Sequence, residues 1–158
     1  MEERSILLAE LLPVIRDVLA AGGEFSLKPR GESMLPYFRE GRDTIVLCTL
    51  TAKPMPGDIL LYVRKTGVPV LHRVVRVEAD GSLVMRGDSQ YFLERGILPD
   101  QIVGIVKKFY RRGHEKRTDA FSSRFYRARR NFTYPFRHFM HRVFARLKRI
   151  LKGGRKHG

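Results

Sequence analysis

A chain of 158 residues, 43% hydrophobic and 30% charged, is long enough for one cored domain with appendages. Its single cysteine, Cys48, excludes a disulfide framework, and no Cys/His spacing suits zinc. The charge is uneven: residues 1–110 hold 15 Lys and Arg against 14 Asp and Glu, while residues 111–158 hold 16 against 2 and so carry +14 of the net +15. A near-neutral domain with a basic tail follows, and the two parts need separate functional readings.

The chain opens on SILLAELLPVIRDVLAA (5–21). Leu8, Leu11, Leu12, Ile15, Val18 and Leu19 recur at helical spacing, and Gly22-Gly23 supplies a stop, so residues 1–24 are predicted to form an amphipathic helix packed on the domain. Glu10, Arg16 and Asp17 make the segment too charged to span a membrane and a poor export signal, which predicts a cytoplasmic chain.

Residues 25–110 change to short runs rich in Val, Ile and Leu: FSLKPR (25–30), TIVLCT (44–49), DILLYVRK (58–65), PVLHRVVRVE (69–78), SLVMRG (82–87) and QIVGIVKKFY (101–110). Gly and Pro punctuate them, and Asp80-Gly81 between two runs is a hairpin signal. Strands without intervening helices predict a mainly β domain, a partly rolled antiparallel sheet. Cys48 lies within TIVLCTL and reads as a small core residue.

GESMLP (31–36) sets a lone hydroxyl, Ser33, between Glu32 and Met34. It reads either as a turn or as a nucleophile at a sheet edge. A serine nucleophile needs a base, and the β region contains one histidine, His72, on a strand face with Val70 and Val74. The bland alternative is a core histidine satisfied by one hydrogen bond. Lys65 is the rival base, but its place at a strand end predicts exposure, which leaves an ammonium protonated. Asp88, in the turn RGDSQ (86–90), and Glu94 are the carboxylates able to orient His72; Asp88 is preferred because a short side chain in a tight Gly-Asp turn is better fixed.

The order of these pieces is more specific than any one of them. Gly31-Glu32-Ser33-Met34 with Pro36, Pro56-Gly57-Asp58, His72-Arg73-Val74-Val75, Gly87-Asp88 and Val103-Gly104 resemble the serine peptidase clan of signal peptidase I and the SOS-repressor autoproteases, over about residues 25–106. The resemblance implies the clan's β catalytic core, with Ser33 as nucleophile. It implies His72 as base, as in the archaeal, endoplasmic-reticulum and sporulation-type branch, with Asp88 at that branch's Gly-Asp motif and Glu94 at a second acidic position. No cofactor is implied. Gly31 stands where bacterial signal peptidases often carry a hydroxyl, so the oxyanion falls to backbone N–H groups, chiefly that of Ser33. The family's spanning anchor and the repressors' two-helix DNA-binding motif have no counterpart here, which directs the expectation to a cytosolic peptide or protein substrate. The alternative is a non-catalytic peptide-, membrane- or nucleic-acid-binding module on the same scaffold.

The tail, 111–158, ends in PFRHFMHRVFARLKRILK (135–152). Phe136, Phe139, Met140, Val143, Phe144, Leu147, Ile150 and Leu151 fall at three- and four-residue spacing amid Arg and Lys, which predicts a basic amphipathic helix. Lying on an anionic membrane surface, at the inner face of the cell membrane, suits it best. Packing on the β domain is the plainer alternative. Nucleic acid is the third, because phosphate contacts do not need so large an apolar stripe. His138 and His141 lack a carboxylate partner for a metal.

Overall fold

A computed structural model describes residues 2–118, with side chains from residue 8 onward. The first element is α1 (Glu2–Ala20). It ends as its sequence requires: Gly22, at φ 77°, donates to the Leu19 carbonyl, and Gly23 donates to that of Val18, the paired bonds of a glycine-terminated helix. Of the predicted apolar stripe, the C-terminal half packs. Ile15 and Leu19 are buried, whereas Leu11 remains 41% exposed. Leu19 comes down on Gly104, where an added Cβ would stand 2.7 Å from its Cδ1 and 3.0 Å from the Cys48 carbonyl oxygen. Glycine there lets helix and sheet approach closely.

Eight strands follow: β1 (Phe25–Leu27), β2 (Asp43–Cys48), β3 (Ile59–Val63), β4 (Pro69–Val77), β5 (Leu83–Arg86), β6 (Glu94–Ile97), β7 (Ile102–Arg111) and β8 (His114–Arg117). They form one sheet in the order β1-β2-β7-β3-β4-β5-β6, with β8 added to β7, and every pairing is antiparallel. The mainly β reading holds, with a single helix among the described residues. Six strands lie where apolar runs predicted them. Two lie elsewhere: ERGI (β6) and HEKR (β8) carry no apolar alternation and are recruited by pairing. Because β7 runs to Arg111 and β8 to Arg117, the sheet continues past residue 110, where the tail was expected to begin. The expected helix over 135–152 lies outside the described residues.

The Asp80-Gly81 hairpin forms as predicted: Asp80 accepts from both the N–H and the hydroxyl of Ser82, and Gly81 takes φ 82°. The central strand β3 is covered on both faces. Leu60 and Tyr62 join Val74, Leu83, Met85 and Ile105 in one apolar cluster, while Leu61 turns to the opposite face.

The β1–β2 connection, which carries Ser33, is irregular and needs external fixing. Asp43, fully buried in its side chain, accepts from the Arg39 backbone N–H at 2.8 Å, from Arg42 Nη2 at 2.6 Å and from Arg111 Nε at 2.9 Å. Burial raises its pKa, but the Arg42 and Arg111 bonds outweigh that and hold it below the ordinary range. Phe38 of the same loop packs edge-on against Phe109 at 5.1 Å between centroids. Asp43→Asn leaves two guanidinium groups without their carboxylate, so it should cost about 3 kcal/mol in denaturant unfolding and should speed proteolysis within residues 31–42.

Candidate active site

Ser33 sits half-buried in the turn-rich loop after β1. Its carbonyl accepts from the Ser89 N–H at 2.9 Å, and the Ser89 hydroxyl donates to the Glu32 carbonyl at 2.7 Å. The loop after β5 therefore clasps the loop after β1. Gly87 makes this possible, because a Cβ there would stand 2.6 Å from the Ser33 carbonyl oxygen. β4 and β5 pair Arg73 with Arg86. His72 and Gly87 each adjoin that last pair of the β4–β5 ladder, so the Ser33 clasp and the imidazole belong to the same end of it.

His72 is 1% exposed, in β4 opposite Leu60. Its Nδ1 lies 3.1 Å from Tyr62 Oη and 3.4 Å from Glu94 Oε1. Tyr62 donates to Glu94 Oε2 at 2.8 Å, and Arg64 binds both Glu94 oxygens, through Nε at 2.9 Å and through Nη2. Among the described residues, neither His72 Nε2 nor Ser33 Oγ has a hydrogen-bond partner, and no direct bond joins them. One ring nitrogen of a buried imidazole is thus held and the other is open.

Of the two carboxylates, Glu94 meets His72. Asp88, the preferred candidate, is bound elsewhere: its oxygens receive Arg73 Nε at 2.9 Å and Arg73 Nη2 at 2.7 Å. Arg73 alternates with His72 along β4, so its partner lies on the other side of the strand. Asp88 still acts on His72 through space. Lys65 is exposed in the β3–β4 turn, as its position predicted. Sequence reasoning missed Tyr62, Arg64 and Arg73. The first two are spaced i and i+2, Tyr62 in β3 and Arg64 just after it, a same-face signal visible in LLYVR but silent about what they would meet.

Burial depresses the His72 pKa to about 4; Glu94 and Asp88 oppose the fall and Arg64 adds to it. Burial also raises the Glu94 carboxyl, but the bonds from Arg64 and Tyr62 outweigh it and keep the group ionised. The Tyr62 hydroxyl is pushed well above its ordinary range by burial and then by Glu94. At neutral pH the cluster is a neutral imidazole, a neutral phenol and an Arg–Glu pair. Cys48 is half-buried with its thiol pKa raised, chiefly by burial, so it is a poor nucleophile. No group of three or more His, Cys, Asp and Glu able to hold a metal gathers among the described residues.

A groove of about 570 Å³ opens beside Ser33. α1 contributes Leu8 and Leu11, the β1 segment runs from Phe25 to Gly31, and Val70 and Leu71 come from β4. Val70 and Leu71 point to opposite faces of β4, so the groove turns around that strand's edge. The edge is open there: β5 pairs with β4 only from Arg73 onward. β1 pairs only with β2, so its other edge is open as well. Both strands line the groove although three strands separate them in the sheet, which means that the sheet curls.

An unfolded chain protonates His72 near pH 6.5 and the folded chain near pH 4, so the unfolded state binds more protons between them. Stability from this group is therefore complete above about pH 6.5 and falls as the pH drops toward 4, by about 3 kcal/mol in all at ~1.4 kcal/mol per unit. Unfolding free energies measured from pH 7 to 4 should follow that slope, and His72→Gln should flatten it.

No protein-family model matches the chain, and no curated protein matches it in sequence.

Proposed function

We propose that this chain is a serine endopeptidase working by a Ser33–His72 mechanism, similar to the histidine-dependent branch of signal peptidases. The observation that carries this reading is the buried His72, whose Nδ1 is held by Tyr62 while its Nε2 has no hydrogen-bond partner among the described residues. Ser33 Oγ, in a half-buried loop, likewise has no hydrogen-bond partner among the described residues. A core histidine satisfied by its one hydrogen bond, here to Tyr62, is the competing account, and His72→Ala separates the two by its effect on cleavage.

Ser33 Oγ attacks the scissile carbonyl carbon while its proton passes to His72 Nε2. The tetrahedral oxyanion is stabilised by backbone N–H groups, chiefly that of Ser33. His72 then delivers the same proton to the leaving amine, and water resolves the acyl-serine by the reverse path. The ring is neutral before reaction because burial keeps its pKa near 4. Glu94 compensates the imidazolium once it forms. The open edges of β1 and β4 offer main-chain groups to an extended peptide, and the apolar groove takes its side chains. The absence of a direct Ser33–His72 bond favours the second reading, a module that binds peptides without cleaving them.

Candidate peptides incubated with purified protein and followed by mass spectrometry separate the two. Ser33→Ala and His72→Ala should abolish cleavage with the fold retained, and Lys65→Ala should matter little. Unchanged cleavage without His72 would sink the assignment. The acid limb of kcat/KM should lie well below pH 6.5, because activity is lost only as His72 takes a proton.

We propose further that the basic segment over 135–152 attaches the chain to an anionic membrane surface. No helix among the described residues is long and apolar enough to cross a membrane. Residues 121–158 carry 12 Lys and Arg and no Asp or Glu. Each basic residue near such a surface contributes on the order of 1 kcal/mol, screened by salt. The intact chain should bind anionic vesicles at low salt and keep part of that binding at high salt through its Phe and Leu stripe. Residues 1–120, a compact unit, should bind vesicles weakly and keep peptidase activity on a short soluble peptide. Binding that vanishes steeply with salt and prefers nucleic acid would overturn the membrane reading.

A further inference from the structure

We infer that Tyr62 is a positioning residue: it stands between Glu94 and His72, fixes His72 with its proton on Nδ1, and leaves the Nε2 lone pair free to accept a proton. This rests on the proposed Ser33–His72 chemistry, but the tautomer it specifies exists whether or not the protein cleaves anything.

A phenol has one proton to give. Tyr62 Oη lies 2.8 Å from Glu94 Oε2 and 3.1 Å from His72 Nδ1. The ionised carboxylate is much the stronger attraction for that proton, so it goes to Glu94. The remaining Oη lone pair then faces His72, and so does Glu94 Oε1 at 3.4 Å. Every oxygen near Nδ1 is therefore an acceptor, and only an N–H can sit among them without a buried clash of lone pairs. The chain of donors runs from His72 Nδ1–H to Tyr62 Oη–H to Glu94.

A direct carboxylate–imidazole bond is the usual way to orient such a base. Here Arg64 holds Glu94 by two nitrogens, which leaves Oε1 beyond a good hydrogen bond to Nδ1. Tyr62 closes that gap. The charged and titratable groups around the ring are Tyr62 from β3, Arg64 just after it, Glu94 from β6 and Asp88 after β5. When Nε2 takes the serine proton, Nδ1–H stays in place and strengthens its bond to Oη. Oη–H strengthens its bond to Glu94 in turn, and no second proton has to move. The phenol retains its proton throughout, since burial and Glu94 both disfavour a phenolate.

The test is the tautomer of His72, read from its two ring 15N shifts in the full-length protein at pH 7, with Tyr62→Phe beside it. The phenyl ring keeps the packing and removes only Oη. The wild type should give an Nδ1–H ring with an unprotonated Nε2, and Tyr62→Phe should lose that purity. On a peptide that the wild type cleaves, Tyr62→Phe should lower kcat ~100-fold with KM little changed. Tyr62→Phe with Glu94→Gln should cost no more than the costlier single change, because the two act as one unit. An Nε2–H ring in the wild type overturns the inference without any variant. A tautomer unmoved by Tyr62→Phe overturns it as well. A chain with no peptidase activity but a pure Nδ1–H ring that depends on Tyr62 would overturn the peptidase reading and support the positioning role.

Discussion

The arrangement around Ser33 depends on one buried cation. Arg73, 8% exposed on β4, gives two nitrogens to Asp88 and a third to the Gly57 carbonyl, and its guanidinium lies 4.7 Å from the centre of the Tyr37 ring. Tyr37 belongs to the loop that carries Ser33, Asp88 to the loop after β5, and Gly57 to the turn before β3. One side chain therefore ties three segments, and backbone bonds between Gly57 and Val74 and between Ser89 and Ser33 reinforce it. A guanidinium is suited to this, being planar, always charged and rich in donors. Desolvating it is costly, so the site is worth keeping only while all its partners remain. The loop geometry is thus all-or-none.

β4 uses its alternation to divide the labour. Arg73 faces the loops and organises them, while His72 faces Tyr62 and Glu94. A slip of one residue in the β3–β4 register would exchange the two, burying an unpartnered cation and turning the imidazole away. Tyr62 opposite Val70 and Leu60 opposite His72 make that slip costly, because Leu60 and Tyr62 both belong to the main apolar cluster. The register that builds the core also aims the proposed base. The two charges of the Arg64–Glu94 pair cancel, so the imidazole sits neutral in an apolar setting yet stands beside an anion held in reserve for its protonated form.

Much of this was legible from residue order. Six strands, the Asp80-Gly81 hairpin, the glycine stop of α1 and the exposure of Lys65 all follow from local pattern, because apolar period and turn chemistry are properties of neighbours in the chain. What the sequence left open was set by distance in the fold. β6 and β8 are polar or mixed and become strands because Leu83 pairs with Ile97 and Lys108 with Arg117. The choice between Asp88 and Glu94 turned on which side of β4 each loop returns to. Local tightness favoured Asp88, and Arg73, the residue next to His72, claimed it. Tyr62 read as one more apolar strand residue, since its hydroxyl acquires meaning only beside a group 32 positions later, Glu94.

β1 is a sheet edge of three residues, followed at once by Lys28, Pro29 and Arg30. An exposed edge strand is a template for the same edge of a sister molecule. Brevity limits the ladder such a pair could form, Pro29 lacks an N–H to extend it, and two cations meeting two cations would repel. The short edge is thereby protected against pairing with its own copy although no strand covers it.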